Sequence, residues 1–186
     1  NGTLWACGEN LYGKLGLGDT TDRKSPTQVS GTNWSSVSCG YDHTLSIKTD
    51  GTLWAWGNND YGQLGLGDII DRNTPTQVGT DTNWSSVSGG EEYTLAIKTN
   101  GTLWAWGDNV YGKLGLGDTT SRNTPTQVAG TNWSSVSCGD DHTLSKRVDG
   151  TLWAWGENIF GKLGLGDTTD RWTPTQVAGT NWSSVS

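Results

Sequence analysis

The sequence predicts an all-β fold built from repeated four-stranded antiparallel sheets, and three observations lead there. GTLW stands at residues 2, 51, 101 and 150, and GLGD at 16, 65, 115 and 164, so a unit of about 50 residues recurs, the period of stacked repeat architectures. Asp-Gly or Asn-Gly separates two alternating runs at Asp50-Gly51, Asn100-Gly101 and Asp149-Gly150, the strongest short signal for a hairpin. No apolar run has a helical period.

Four strands follow in order within a unit. NWSSVS is the first, HTLSIKT the second, GTLWAWG the third and TPTQV the fourth. The Asp-Gly turn joins the second to the third. A long glycine-rich loop, such as GENLYGKLGLGDTTDRKS, joins the third to the fourth, because glycine permits the tight bends it needs. Pro26, Pro75, Pro125 and Pro174 stand at the start of the fourth strand. Proline cannot donate to a ladder, so this strand is expected at a sheet edge. The third strand decides the packing. Trp54 and Trp56 share one face and Leu53 and Ala55 the other. Both faces are apolar, one bulky and one small. That suits a sheet stacked between two neighbours, with the tryptophans of one resting on the Leu/Ala face of the next.

The units, or blades, fall at 33–79, 83–128 and 132–178. A partial blade covers 1–29, and 181–186 is the first strand of a next one. Asp81 is a one-residue insertion before the second whole blade. A lone first strand facing third and fourth strands would leave edges unpaired. The chain is therefore expected to be about half of a larger ring, not closed on itself, with its ends meeting neighbouring repeats of a longer chain or of another copy.

Composition narrows the function. Of 186 residues only 32% are hydrophobic, yet 12 are Trp and 28 Gly. Disordered chains lack aromatics, so this chain has a core, and the core is tryptophan. A net charge of -7 argues against nucleic acid, whose phosphates need Lys and Arg, and against anionic lipid. No apolar run nears ~18 residues, so no membrane insertion is expected. Methionine is absent, including at position 1. Cys7, Cys39 and Cys138 lack zinc-site spacing and read as reduced buried thiols. The polar surface with few lysines suits an extracellular or cell-surface protein.

CGYDHTLSIKTDGTLWAWGNNDYGQLGLG, from Cys39 to Gly67, resembles the repeat of the regulator of chromosome condensation family, and the resemblance covers the whole chain. It implies a β-propeller, usually of seven four-stranded blades. The family's founder is a nucleotide-exchange factor for a small nuclear GTPase that also binds chromatin, using a wedge inserted in one blade and basic loops. The repeats here are of nearly equal length and the chain is acidic, so neither device is expected. A plant ultraviolet-B photoreceptor relative uses Trp just before the second strand. The positions here are Tyr41-Asp42, Glu91-Glu92 and Asp140-Asp141. What the resemblance leaves is a rigid platform for partners.

No catalytic constellation emerges. His43 and His142 occupy the same repeat position, with Tyr93 between them, so they read as structural hydrogen-bond formers rather than bases. GLGD has no lysine following and is no phosphate loop. Asp19, Asp68, Asp118 and Asp167 each precede an arginine by four residues (Arg23, Arg72, Arg122, Arg171) and are expected as loop ion pairs. A calcium site is the alternative, but the loop offers few further oxygens. Neither cofactor nor metal is expected. Asp42, Glu91, Glu92, Asp140 and Asp141 would line one face as an acidic rim, either solvated turns or a dock for a basic partner. Ile69-Ile70 replaces Thr-Thr, and Trp172 replaces Lys24, Asn73 and Asn123. Bulky apolar groups in polar loops point to contact with another chain. Lys146 replaces Ile47 and Ile97 and must turn its ammonium outward. The function expected is thus a non-enzymatic scaffold that binds a protein partner or other copies of itself, with exchange on a small GTPase as the alternative.

Overall fold

The computed structural model describes residues 2–185. Its strands are β1 (Trp5–Gly8), β2 (Arg23–Gln28), β3 (Trp34–Cys39), β4 (His43–Lys48), β5 (Leu53–Gly57), β6 (Arg72–Gln77), β7 (Trp84–Gly89), β8 (Tyr93–Lys98), β9 (Leu103–Gly107), β10 (Arg122–Gln127), β11 (Trp133–Cys138), β12 (His142–Arg147), β13 (Leu152–Gly156) and β14 (Arg171–Gln176). They form a two-stranded antiparallel sheet, β1-β2, and three four-stranded ones: β3-β4-β5-β6, β7-β8-β9-β10 and β11-β12-β13-β14. Each is an up-and-down blade with its fourth strand at the outer edge, as the prolines require. That strand begins three residues before the proline. Its ladder breaks between Ala55 and Gly57 and resumes beyond Pro75, pairing Ala55 with Thr76 and Gly57 with Arg72. The strand tolerates proline by bulging around it.

The blades stack as the faces of the third strand require. Leu45, Ile47, Leu53 and Ala55 of the first whole blade form one core with Trp84, Ala96 and Trp106 of the second. Leu95, Ile97, Leu103 and Ala105 of the second pack likewise against Trp133 and Trp155 of the third. The two tryptophans of a third strand are unequal. Trp56, Trp106 and Trp155 are fully buried. Trp54, Trp104 and Trp153 are half-buried. The latter stand edge-on to Trp34, Trp84 and Trp133, with centroids 6.0–6.4 Å apart. The cations of Lys48, Lys98 and Arg147 cover these pairs, 3.8–4.1 Å from the outer ring, which suits the ring quadrupole.

The two-stranded blade and the terminal segment differ from the rest. The ends of both, Asn1 and Ser186, lie outside the described residues. Residues 182–185 adopt no regular structure, because no second strand stands beside them. Their path is nevertheless that of a first strand. The Trp182 N–H donates to Gly150 O at 3.1 Å, as Trp84 donates to Gly51 O and Trp133 to Gly101 O. Val185 packs on the third blade as Val87 and Val136 pack on the blades before theirs. Among the described residues no strand pairing joins 182–185 to the β1 segment.

The cysteines are free but not all buried. Cys7 and Cys39 are exposed and Cys138 is half-buried. Cys7 stands on the two-stranded partial blade where the other copies have the deep tryptophan, and Cys39 lines the axial hollow. Asp81 also has a role. It pairs with Lys98 at 2.8 Å. Asn33, Asn132 and Asn181 need left-handed backbone (φ 65–70°) to turn into the first strand, which asparagine tolerates. In the second whole blade the insertion relieves Asn83 of that conformation.

Candidate functional site

Each third strand is followed by a loop that its own blade holds shut. Asn10, Asn59, Asn109 and Asn158 are fully buried. In the first copy the Asn10 side chain donates to Asp19 O and Thr21 O and accepts from the Leu15 N–H, at 2.9–3.1 Å. The other three repeat this pattern. The Asp–Arg pairs form as expected, at 2.6–2.7 Å. The Arg23 hydrogen bond holds the Asp19 carboxyl below its ordinary range. For Asp68, Asp118 and Asp167 the main-chain N–H two residues on leads in the same direction. These carboxylates are committed to the loop.

From that loop each blade grips the next. The main-chain carbonyl of Lys14 accepts from Thr44 Oγ1 (2.8 Å) and Trp56 Nε1 (3.0 Å). That of Gln63 accepts from Thr94 and Trp106, and that of Lys113 from Thr143 and Trp155. A glycine must lie beneath each indole. A Cβ on Gly16, Gly65 or Gly115 would come within 2.7 Å of the tryptophan nitrogen. The second strands complete the joint. His43 Nε2 meets Thr94 Oγ1 at 3.1 Å. The threonine hydroxyl donates to Gln63 O, so the imidazole is the donor and carries its proton on Nε2. Burial pulls the His43 pKa down to about 4, against the pull of Asp42, and the ring is neutral. Tyr93 reaches across equally and donates to His142 O. At this position His43 and Tyr93 each tie their blade to the next.

The predicted acidic rim divides in two. Asp42 lies 2.8 Å from Lys14 Nζ and Asp141 lies 2.9 Å from Lys113 Nζ. Each lysine also holds a carboxylate of its own loop, Glu9 or Asp108. Lys113 is almost fully buried. Burial alone would lower its pKa, but its hydrogen bonds to Asp108 and Asp141 and their charges raise it. Between these joints Gln63 takes the place of lysine and bonds Asn58. Glu92, the counterpart of Asp42, has no cation from Gln63's position, and burial with the Glu91 and Asp108 charges pushes its carboxyl up. The first members of each pair, Tyr41, Glu91 and Asp140, surround an axial hollow of about 200 Å³ floored by glycines and by Cys39 and Cys138.

Ile69, Ile70 and Trp172 are 62%, 64% and 51% exposed. The loop uses only the backbone at Ile70, whose N–H bonds Asp68 and whose carbonyl accepts from Asn59 and Arg72. Thr21, Thr120 and Thr169 do the same. Asn73 and Asn123 each bond the preceding loop through their side-chain amides; Trp172 gives up that bond and keeps the backbone one from Gly117. The structure therefore separates the predicted residues. The five acids lie at the joints and the axis, while Ile69, Ile70 and Trp172 lie in or beside the outer loops. Sequence reasoning missed the buried asparagines, whose signal was an unvarying Asn in all four copies of a loop that otherwise drifts. It also missed the joint carbonyls, which no side chain betrays.

Sheets stacked about an axis through Trp-filled joints, with their loops on show, define a β-propeller repeat protein. The Regulator of chromosome condensation (RCC1) repeat matches residues 1–47, 50–97, 100–145 and 149–186, and a second description of it matches 34–63, 84–113 and 133–162. The chain belongs to the RCC1 repeat family. It is similar to human WBSCR16 (TM-score 0.85, 28% identity, 96% of this chain and 49% of that one). It is similar in fold to yeast RCC1, Prp20, seen bound to Kap60 (TM-score 0.85, 22% identity, 96% and 45%). A stretch of 50 residues is 46% identical to the Ultraviolet-B receptor UVR8 of Arabidopsis thaliana, covering 25% of this chain and 11% of the receptor. The chain spans about half the length of the solved structures it matches. Among the described residues no helix is long and apolar enough to cross a membrane.

Proposed function

We propose that the chain is a non-enzymatic protein-binding scaffold whose contact residues are Ile69 and Ile70 on an outer loop, Trp172 on the outer strand β14, and Glu91, Glu92 and Asp140 towards the axial mouth. One observation carries this reading. At 69–70 the loop needs only main-chain groups, so the fold has no use for two exposed isoleucines where three other copies have threonine. Exposed apolar groups of this kind supply contact area in protein interfaces. Asp42 and Asp141 are bound to lysines, which leaves the other three acids for a basic partner. The double variant Ile69→Thr, Ile70→Thr restores the sequence of the other copies and is expected to keep the fold and lose the partner. Cross-linking from native extract compares the two proteins. Equal recovery of one partner by both, or no partner with either, would overturn the assignment.

The second reading is regulatory. The similar yeast protein Prp20 is described by its binding to Gsp1p and histones. If this chain acted alike it would accelerate nucleotide release from a small GTPase. A release assay with fluorescent nucleotide decides between the two.

A further inference from the structure

Between the outer loops of the second and third whole blades lies a hollow of about 340 Å³, lined by Tyr111, Glu157, Ile159, Thr168 and Asp170. Its walls are of two kinds. Tyr111 and Ile159, both exposed, make the apolar side. Trp172 lies next to that side, because its ring covers Gly112, where a Cβ would come within 2.5 Å of Trp172 Cδ1. Tyr111 stands at φ 69°, a conformation that a bulky residue holds only when its surroundings impose it, so the loop fixes where that side chain leaves the backbone. The other wall is acidic. One oxygen of Asp170 takes the Asn158 N–H at 2.8 Å, and among the described residues no donor reaches the second. Glu157 gives Oε2 to Lys162, and among the described residues its Oε1 is free. The earlier copies do not assemble this set. At the preceding joint the matching residues are Tyr61, Asp108, Val110, Thr119 and Ser121, and Asp108 is taken by Lys113 and by the Ser121 hydroxyl. One joint before that, Asn58 stands for Glu157 and Asp60 for Ile159.

We infer that this hollow receives an arginine side chain of the protein partner, its guanidinium held between the Tyr111 ring and the free oxygens of Asp170 and Glu157. The inference rests on the protein-binding reading above and specifies what the Trp172 side of that surface recognises. Charge selects a cation, since the open acceptors are carboxylate oxygens and the chain as a whole carries a net charge of -7. Shape selects arginine. An aromatic ring facing two acceptor oxygens suits a planar fork of donors, which stacks on the ring and bonds both acids, better than the compact, strongly hydrated ammonium of lysine. The apolar stem of the arginine then covers Ile159.

The probe is N-acetyl-arginine amide, titrated into the full chain and followed by the NMR signal of the Trp172 indole N–H, which its loss in Trp172→Asn identifies. A saturable shift with a dissociation constant of about 1 mM is expected. The citrulline counterpart, which keeps the shape and lacks the charge, should bind about tenfold more weakly, and so should N-acetyl-lysine amide. Asp170→Ser copies Ser121, whose hydroxyl takes the Asn109 N–H in the second whole blade, so the loop stays closed. It should weaken the arginine probe by about tenfold, while Ile69→Thr, Ile70→Thr leaves the affinity unchanged. No saturable shift up to ~20 mM, equal binding of the citrulline or lysine probe, undiminished binding by Asp170→Ser, or a loss in the double isoleucine variant overturns the inference. The titration needs no partner, so its failure is distinct from an unproductive cross-linking experiment, which bears on the loop-borne reading.

Discussion

The joint between the first and second whole blades and the joint between the second and third are built on one plan and differ in their polar residues, with Gln63 and Asn58 where the other has Lys113 and Asp108, and His43 where it has Tyr93. At the second, Lys113 sits almost fully buried between Asp108 and Asp141. At the first, Gln63 faces Asn58, and Glu92 is left without that cation. The indole, the threonine and the receiving carbonyl are the same in both. A buried ion pair adds little over a well-packed neutral pair and becomes costly when one partner is removed. The comparison therefore teaches that the hydrogen-bonded indole holds the joint, and the charges select which residues tolerate replacement.

Four changes test that division. The largest effect is expected from Trp106→Ala, which empties the shared element of the neutral joint and should cost about 3–5 kcal/mol. Trp104→Ala, at a half-buried ring, should cost less than half as much, and equal losses in denaturant titrations would break the distinction. Acid comes next. His43 is neutral when folded, with its pKa lowered from 6.5 to about 4, so the unfolded chain takes up the proton first as pH falls. Stability is then full above pH 6.5 and falls as pH drops towards 4, by about 3 kcal/mol. His43→Tyr, which copies the second whole blade, should flatten that slope between pH 6.5 and 4 in thermal melts.

The third change is Lys113→Met. It strands two carboxylates, one of them partly exposed to water, and should cost about 2 kcal/mol; Gln63→Met should cost under about 1 kcal/mol. If the two substitutions cost the same, charge plays no part in choosing the residue. The smallest effect is a gain. Gln63→Lys places an ammonium beside Glu92 and should stabilise by about 0.5 kcal/mol, a shift that NMR titration of the Glu92 carboxyl would accompany with a lowered pKa.

Most of the architecture was legible because it is written in side-chain pattern. GTLWAWG states both faces of a stacked strand, and Asp50-Gly51 states the hairpin. The Asp–Arg spacing and the shared His43, Tyr93 and His142 position were readable for the same reason. The start of the fourth strand was misplaced because proline marks a bulge within the strand as readily as its start. The cysteines were misjudged because burial depends on which blade stands opposite. The five acids looked alike in sequence. Only the fold shows that Asp42 and Asp141 meet lysines 28 residues upstream, while Glu92 meets glutamine.

Because each joint closes on a main-chain carbonyl, the residue that owns it is unconstrained as an acceptor. Lysine and glutamine serve alike at 14, 63 and 113. Genetic drift can rewrite that side chain, and trade charge for neutrality, without unpicking the lock between blades. Across the three joints the Trp and Thr donors and the underlying glycine are the same, while the side chain at 14, 63 and 113 differs without breaking the lock.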